Sequence, residues 1–133
     1  MNVTQEEKML GGLAHVAVLF NLIGVAFLAV LTLAYRQKSR YVFEHAAQGL
    51  GLWLTGWALK LVIGAVFGTA SFAMVFNPFM WREALGGFFL AVLLLMAVGI
   101  TILVLVIIAA VKGFSGQPHR YPIIGDFVAS LSK

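Results

Sequence analysis

The sequence predicts an all-α integral membrane protein with three transmembrane helices and an interfacial segment between the second and the third. Three observations carry that expectation. Of the 133 residues, 62% are hydrophobic, and the mean hydropathy is +0.99. Only 11% are charged, against about 25% in ordinary soluble domains. Most of the charges flank three long apolar runs, as they do where helices meet the two faces of a bilayer. A soluble chain this short has too much surface to hide so much apolar material. A single membrane domain over residues 1–133 is expected.

The first span is expected at about residues 9–35, a run without Asp, Glu, Lys or Arg. It exceeds the roughly 20 residues needed to cross the hydrocarbon core. Thr4 and Glu7 have the spacing of a capping box, which starts the helix ahead of that run. Glu6 and Glu7 at the start, and an apolar run too long for a signal core, argue against a cleavable signal peptide. Arg36, Lys38 and Arg40 form a basic turn before a second span at about 43–68. Residues 69–83 are apolar, rich in Phe and interrupted by Asn77-Pro78; they are too short to cross and suit the headgroup level. The third span is expected at about 84–111, bracketed by Arg82, Glu83 and Lys112. In the tail, 112–133, Gly, Pro and Ser oppose a fourth span, and residues 123–131 could form only a short amphipathic piece.

Charge sets the expected orientation. With three crossings, Arg36, Lys38, Arg40, Lys112, Arg120 and Lys133 share one side, against Lys8 and Arg82 on the other. Cytoplasmic loops carry the excess of Lys and Arg. The C-terminus is therefore expected in the cytoplasm and the N-terminus outside, in the inner membrane. The net charge of +4 reads as topology signal and anionic-lipid contact, with no nucleic-acid partner. The absence of Cys excludes disulfides, thiolate metal sites and thiol nucleophiles.

Three short motifs span most of the chain: the opening Thr4 to Phe20 with Met9-Leu10 and His15; Tyr41 to Leu50 with His45-Ala46; and Lys112-Gly113 followed by His119-Arg120-Tyr121-Pro122. In that order the chain resembles a group of small bacterial membrane proteins of unknown function, a group similar to the membrane subunit of the Tic import translocon of the chloroplast inner envelope. Gly49, Gly51 and Trp53 depart from that group's pattern after His45. The resemblance implies a helical membrane fold and a link to protein translocation.

Several residues are candidates for a functional or interface role. Lys60 is a charge inside a span, which is costly and usually faces protein or water. Gly56, Lys60, Gly64 and Gly68 recur every fourth residue, and Gly64 to Gly68 is a GxxxG, so Lys60 is expected in a helix interface or polar cleft, or else snorkelling to the headgroups. His15 is expected towards the outer side, at the depth of Lys60, either lining a cleft with it or bonded to a neighbouring helix. Asn21, with Ala14, Ala17 and Gly24, reads as helix-packing glue. Glu44, His45 and Gln48 open the second span, where His45 and Gln48 could face one partner, the returning Tyr121-Pro122 tail; a solvated helix start is the alternative. On this topology His15 and His45 lie near opposite faces, so the pair cannot ligate a haem within one chain. No cofactor or metal is expected. No carboxylate pair, Ser–His–Asp set or ligand spacing suggests an enzyme, and a quinone- or lipid-handling enzyme lacks the residues to work with.

The expected function is that of a non-enzymatic auxiliary or scaffold subunit of a membrane assembly, linked to translocation by resemblance alone. The alternative is a small oligomeric channel or transporter, with Lys60 and His15 lining an anion-friendly cleft. The expected partners are the lipid bilayer and further copies of the chain or other membrane subunits.

Overall fold

The structure, a computed structural model, describes residues 3–68, 72, 76, 77, 79 and 81–131. It is 86% helix, with no strand among the described residues. Among the described residues, five α-helices follow in order: α1 (Gln5–Ala17), α2 (Asn21–Tyr35), α3 (Arg40–Ile63), α4 (Trp81–Phe114) and α5 (Ile124–Leu131). Among the described residues, three helical stretches are long and apolar enough to cross a membrane: Gln5–Tyr35, Arg40–Gly68 and Trp81–Phe114. Two compact units result, one of Met1–Leu54 with Leu103–Lys133 and one of Thr55–Ile102.

The first stretch departs from a simple span. A straight helix of its 31 residues would be about 46 Å long, yet Tyr35 at its end donates a 3.4 Å hydrogen bond to Glu6 at its start. The stretch folds back on itself. A 3₁₀ turn, Val18–Phe20, ends α1, and Asn21 reverses the chain with φ 50° and ψ −124°. Such a backbone suits the first central position of a type II′ turn, which Gly, Asn and Asp tolerate best. Asn21 is thus an exposed hinge residue rather than packing glue. The close contact comes from Gly24, where a Cβ would collide with the Ala17 carbonyl. The capping box that starts α1 is complete: Thr4 N–H donates to Glu7 Oε2 at 2.8 Å, and Glu7 N–H to Thr4 Oγ1 at 3.2 Å.

This fold-back brings distant parts of the chain together. Two faces of a bilayer are separated by a hydrocarbon core of about 30 Å. The start of α1 nevertheless lies beside Tyr35 and the end of α4, where a Cβ on Gly113 would stand 2.8 Å from the Gly11 carbonyl carbon. The described N-terminal residues, the 36–39 turn and the beginning of the tail share one side. Hydropathy does not foresee this reversal, because an apolar run reads the same whether its helix is straight or turns back on itself.

The end of α4 is shaped by a Schellman motif. Gln117 N–H donates to Lys112 O at 2.9 Å and Gly116 N–H to Gly113 O at 3.1 Å, with Gly116 at φ +73°. Gly takes that left-handed position without a Cβ penalty. The motif turns the tail back towards the helices. Ile123, at φ 68°, then makes a second sharp bend into α5, a costly conformation for a β-branched residue. The amphipathic α5 buries Val128 and exposes Phe127.

In the second unit, Gly56 packs against Ile102, whereas a Cβ at Gly64 or Gly68 would meet nothing within 4 Å. Lys60 is exposed. Gly64–Gly68 forms a π turn, which changes the register that a repeat of four relies on. The segment expected at the interface, residues 69–83, falls largely outside the described residues. Of those described, Phe72, Phe76 and Phe79 are exposed, and Trp81 begins α4.

Candidate functional site: a buried histidine and tyrosine cluster

The polar side chains of the first unit converge on one place. His15 comes from the inward face of α1, His45 and Gln48 from one turn near the start of α3, and His119 and Tyr121 from the tail. His15, His45, Gln48 and Tyr121 are each no more than 2% exposed. His15 Nε2 lies 2.7 Å from His45 Nδ1, and Tyr121 Oη lies 3.1 Å from His15 Nδ1. His45 also hydrogen-bonds the backbone of Gln117. One set of protons satisfies every partner. Tyr121 donates to His15 Nδ1, His15 Nε2–H donates to His45 Nδ1, and His45 Nε2–H donates to the Gln117 carbonyl. Both imidazoles are then neutral, as burial favours.

Gln48 clamps the tail by its backbone. Its Nε2 donates to His119 O at 2.9 Å, and its Oε1 accepts from Tyr121 N–H at 3.0 Å. Both ends of the amide are used, and two backbone groups of an irregular segment are satisfied, as burial requires. Tyr41 adds a tie of its own, donating to Gly113 O at 2.6 Å. Its ring lies tilted against His45, with centroids 4.4 Å apart, and fills the space over Gly11. His119 stands edge-on to Tyr121 at 4.8 Å, and its Nε2 is buried without a hydrogen-bond partner. Burial, and secondarily the Lys112 ammonium, hold its pKa below the ordinary value. Burial pushes the Tyr121 hydroxyl well above its usual range. Both groups are neutral near pH 7.

This geometry corrects the expectation that His15 and His45 lie near opposite faces. They meet because α1 folds back beside the start of α3. Their facing nitrogens bond each other directly, and no group of three His, Asp or Glu side chains suited to a metal occurs among the described residues. His15 is enclosed, so it does not line a cleft. Glu44 pairs with Arg40 at 2.7 Å, one turn away along α3. Tyr41 and His119 were not singled out from the sequence, although both stand inside the motifs quoted for it. Their neighbours Glu44 and Tyr121 drew attention by charge position and by the tail motif.

The fold and its enclosed polar cluster define a small α-helical membrane protein tied together at one end. The chain belongs to the magnetosome magnetite crystal formation protein family (MamF_MmsF), whose profile matches residues 6–128. A small bacterial membrane family is therefore the right class, and the similarity to the Tic translocon is not supported. No curated protein and no solved structure matches the chain.

Proposed function

We propose that this chain is a non-enzymatic scaffold protein of the magnetosome membrane that acts in magnetite crystal formation. The observation that carries the proposal is the match of the family profile over residues 6–128. Two features of the molecule support a structural role. The buried polar groups His15, His45, Gln48 and Tyr121 are all engaged with one another or with the tail backbone, so they act as a latch. The remaining surface is dominated by exposed apolar side chains on α2, α3 and α4, which suits lipid or neighbouring helices. Membership of a family is a weaker warrant for function than a site's chemistry, so the test has to be biological.

Both described ends of the chain are assigned to the cytoplasmic side. Lys8 lies by Gly116, Lys112 acts on His119, Arg120 lies by Gly125, and Arg36, Lys38 and Arg40 belong to the turn before α3 and its first residue, while Arg82 is near the first residue of α4. That asymmetry supports a positive-inside orientation.

The experiment is complementation. In a magnetosome-forming bacterium deleted for its own member of the family, expression of this chain is expected to restore crystal size in electron micrographs. A fluorescent fusion should follow the crystal chain. Unchanged crystals together with an even distribution over the cell membrane would overturn the proposal.

A further inference from the structure

A groove of about 360 Å³ lies between α2, α3 and α5. Each helix contributes one face: Thr32, Leu33 and Arg36 from α2; Phe43, Ala47, Leu50, Gly51 and Leu54 from α3; and the inner residues of α5. The volume falls within the range of small-molecule sites. From Phe43 to Leu54 the α3 wall runs about 16 Å at the helical rise. That is close to the depth of one leaflet, about half of a 30 Å hydrocarbon core.

The two ends of the groove differ. At one end stands Arg36, exposed and lining the groove, with exposed Lys38 beyond it on the basic turn. Among the described residues the ion pair is Arg40 with Glu44, and neither Arg36 nor Lys38 has a carboxylate partner. None of the lining residues is acidic. At the other end, Leu54 is half exposed, and Leu33 along the edge is largely exposed, so the apolar wall opens sideways. The third wall, α5, is held there by Gly51, where a Cβ would stand 2.7 Å from Ile124.

We propose that this groove binds one anionic phospholipid, its headgroup phosphate on Arg36 and an acyl chain along the α3 wall. Charge and length both select this occupant. A soluble anion would leave the apolar wall uncovered, and a zwitterionic lipid would leave the unpaired cation poorly matched. Basic pockets between helices on the cytoplasmic side are known anionic-lipid sites. The bound lipid would also seat α5 against the helices, continuing the tie that Gln48 makes to the tail.

The test is native mass spectrometry of the full chain released from detergent micelles, titrated with phosphatidylglycerol or phosphatidylcholine. The parent is expected to retain one phosphatidylglycerol and to prefer it over phosphatidylcholine. Arg36→Ala is expected to weaken phosphatidylglycerol binding about five-fold, the effect of one basic side chain near an anionic surface, and to remove most of the preference. Ala47→Phe fills the groove and is expected to reduce binding of both lipids. Leu33→Trp adds its bulk at a largely exposed position, and keeps the test decisive should Ala47→Phe fail to fold. Equal binding of the two lipids by the parent would overturn the proposal. So would unchanged phosphatidylglycerol retention in Arg36→Ala, or in a folded groove-filling variant.

Discussion

The two units of this chain have similar lipid-compatible composition but differ in how they are packed. In the first, the fold-back of α1 on α2, the base of α3, the end of α4 and the tail enclose Ala14, His15, Leu28, Val42, Gln48 and Ala109, each at most 1% exposed. In Thr55–Ile102, only Gly56 and Ala84 are buried among the described residues. The glycines differ in the same way. Those at 11, 12, 24 and 113 have neighbours where a Cβ would go, whereas those at 64, 68, 86 and 99 have none within 4 Å. Apolar side chains gain little from one another in lipid, because lipid tails solvate them as well as Leu does. Small residues that let backbones approach, and polar groups that must be satisfied, decide where a membrane chain packs. The first unit has both.

That difference can be broken most sharply at Gly24. Gly24→Ala is expected to lower stability by about 3 kcal/mol, since the added methyl would strike the backbone of Ala17. Thermal unfolding in detergent would read it, and an unchanged midpoint would mean that the hairpin is not closed as described. Next comes His15→Leu, which keeps an apolar filling but strips His45 and Tyr121 of their shared partner. A loss of about 2 kcal/mol is expected from the groups left unsatisfied, with the tail cut faster by trypsin at Arg120. Gln48→Ala should release the tail with a smaller loss of about 1–2 kcal/mol, because the freed backbone groups can reach water.

A pH effect follows from His119. Its folded pKa lies below its unfolded value of about 6.5, so the unfolded or detached tail binds the proton more readily. Stability is therefore expected to fall as pH drops below about 6.5, until the lower folded pKa is reached. His119→Asn should reduce this slope in proteolysis of the tail between pH 7.5 and 5.5; an unaltered slope would assign it elsewhere. The smallest effect is expected in the second unit. Gly64→Ala should change the unfolding midpoint by the equivalent of no more than about 0.5 kcal/mol, and a large loss there would reveal packing on that face.

Much of the tail contact was legible before the structure. His45 and Gln48 lie one helical turn apart, and the tail returns to the same end of α3. Gln48 now meets Tyr121 N–H, while His45 meets the tail at Gln117 and faces His15. The depth of His15 was not legible. Placing it correctly requires knowing that Asn21 reverses the chain, and one Asn in an apolar run does not announce a positive φ. For Lys60, the exposed position agrees with the snorkelling alternative. A repeat of four marks a stripe only while the helix stays regular, and the π turn at Gly64–Gly68 interrupts it.

The sequence by itself determined the solvent and the secondary structure. Three apolar stretches with charges at their ends can be stable only as helices in a bilayer, because the hydrocarbon core offers the backbone no other partners. Thr4 and Glu7 likewise fixed the start of α1 through local hydrogen bonds. The tertiary structure alone decided that the first stretch folds back, and with it the pairing of His15 with His45 and the groove above Arg36. Those outcomes depend on contacts between residues far apart in sequence, such as Gly113 against Gly11 and Tyr121 against His15. Hydropathy measures how each residue prefers lipid to water, and it carries no information about which helices approach closely enough to touch.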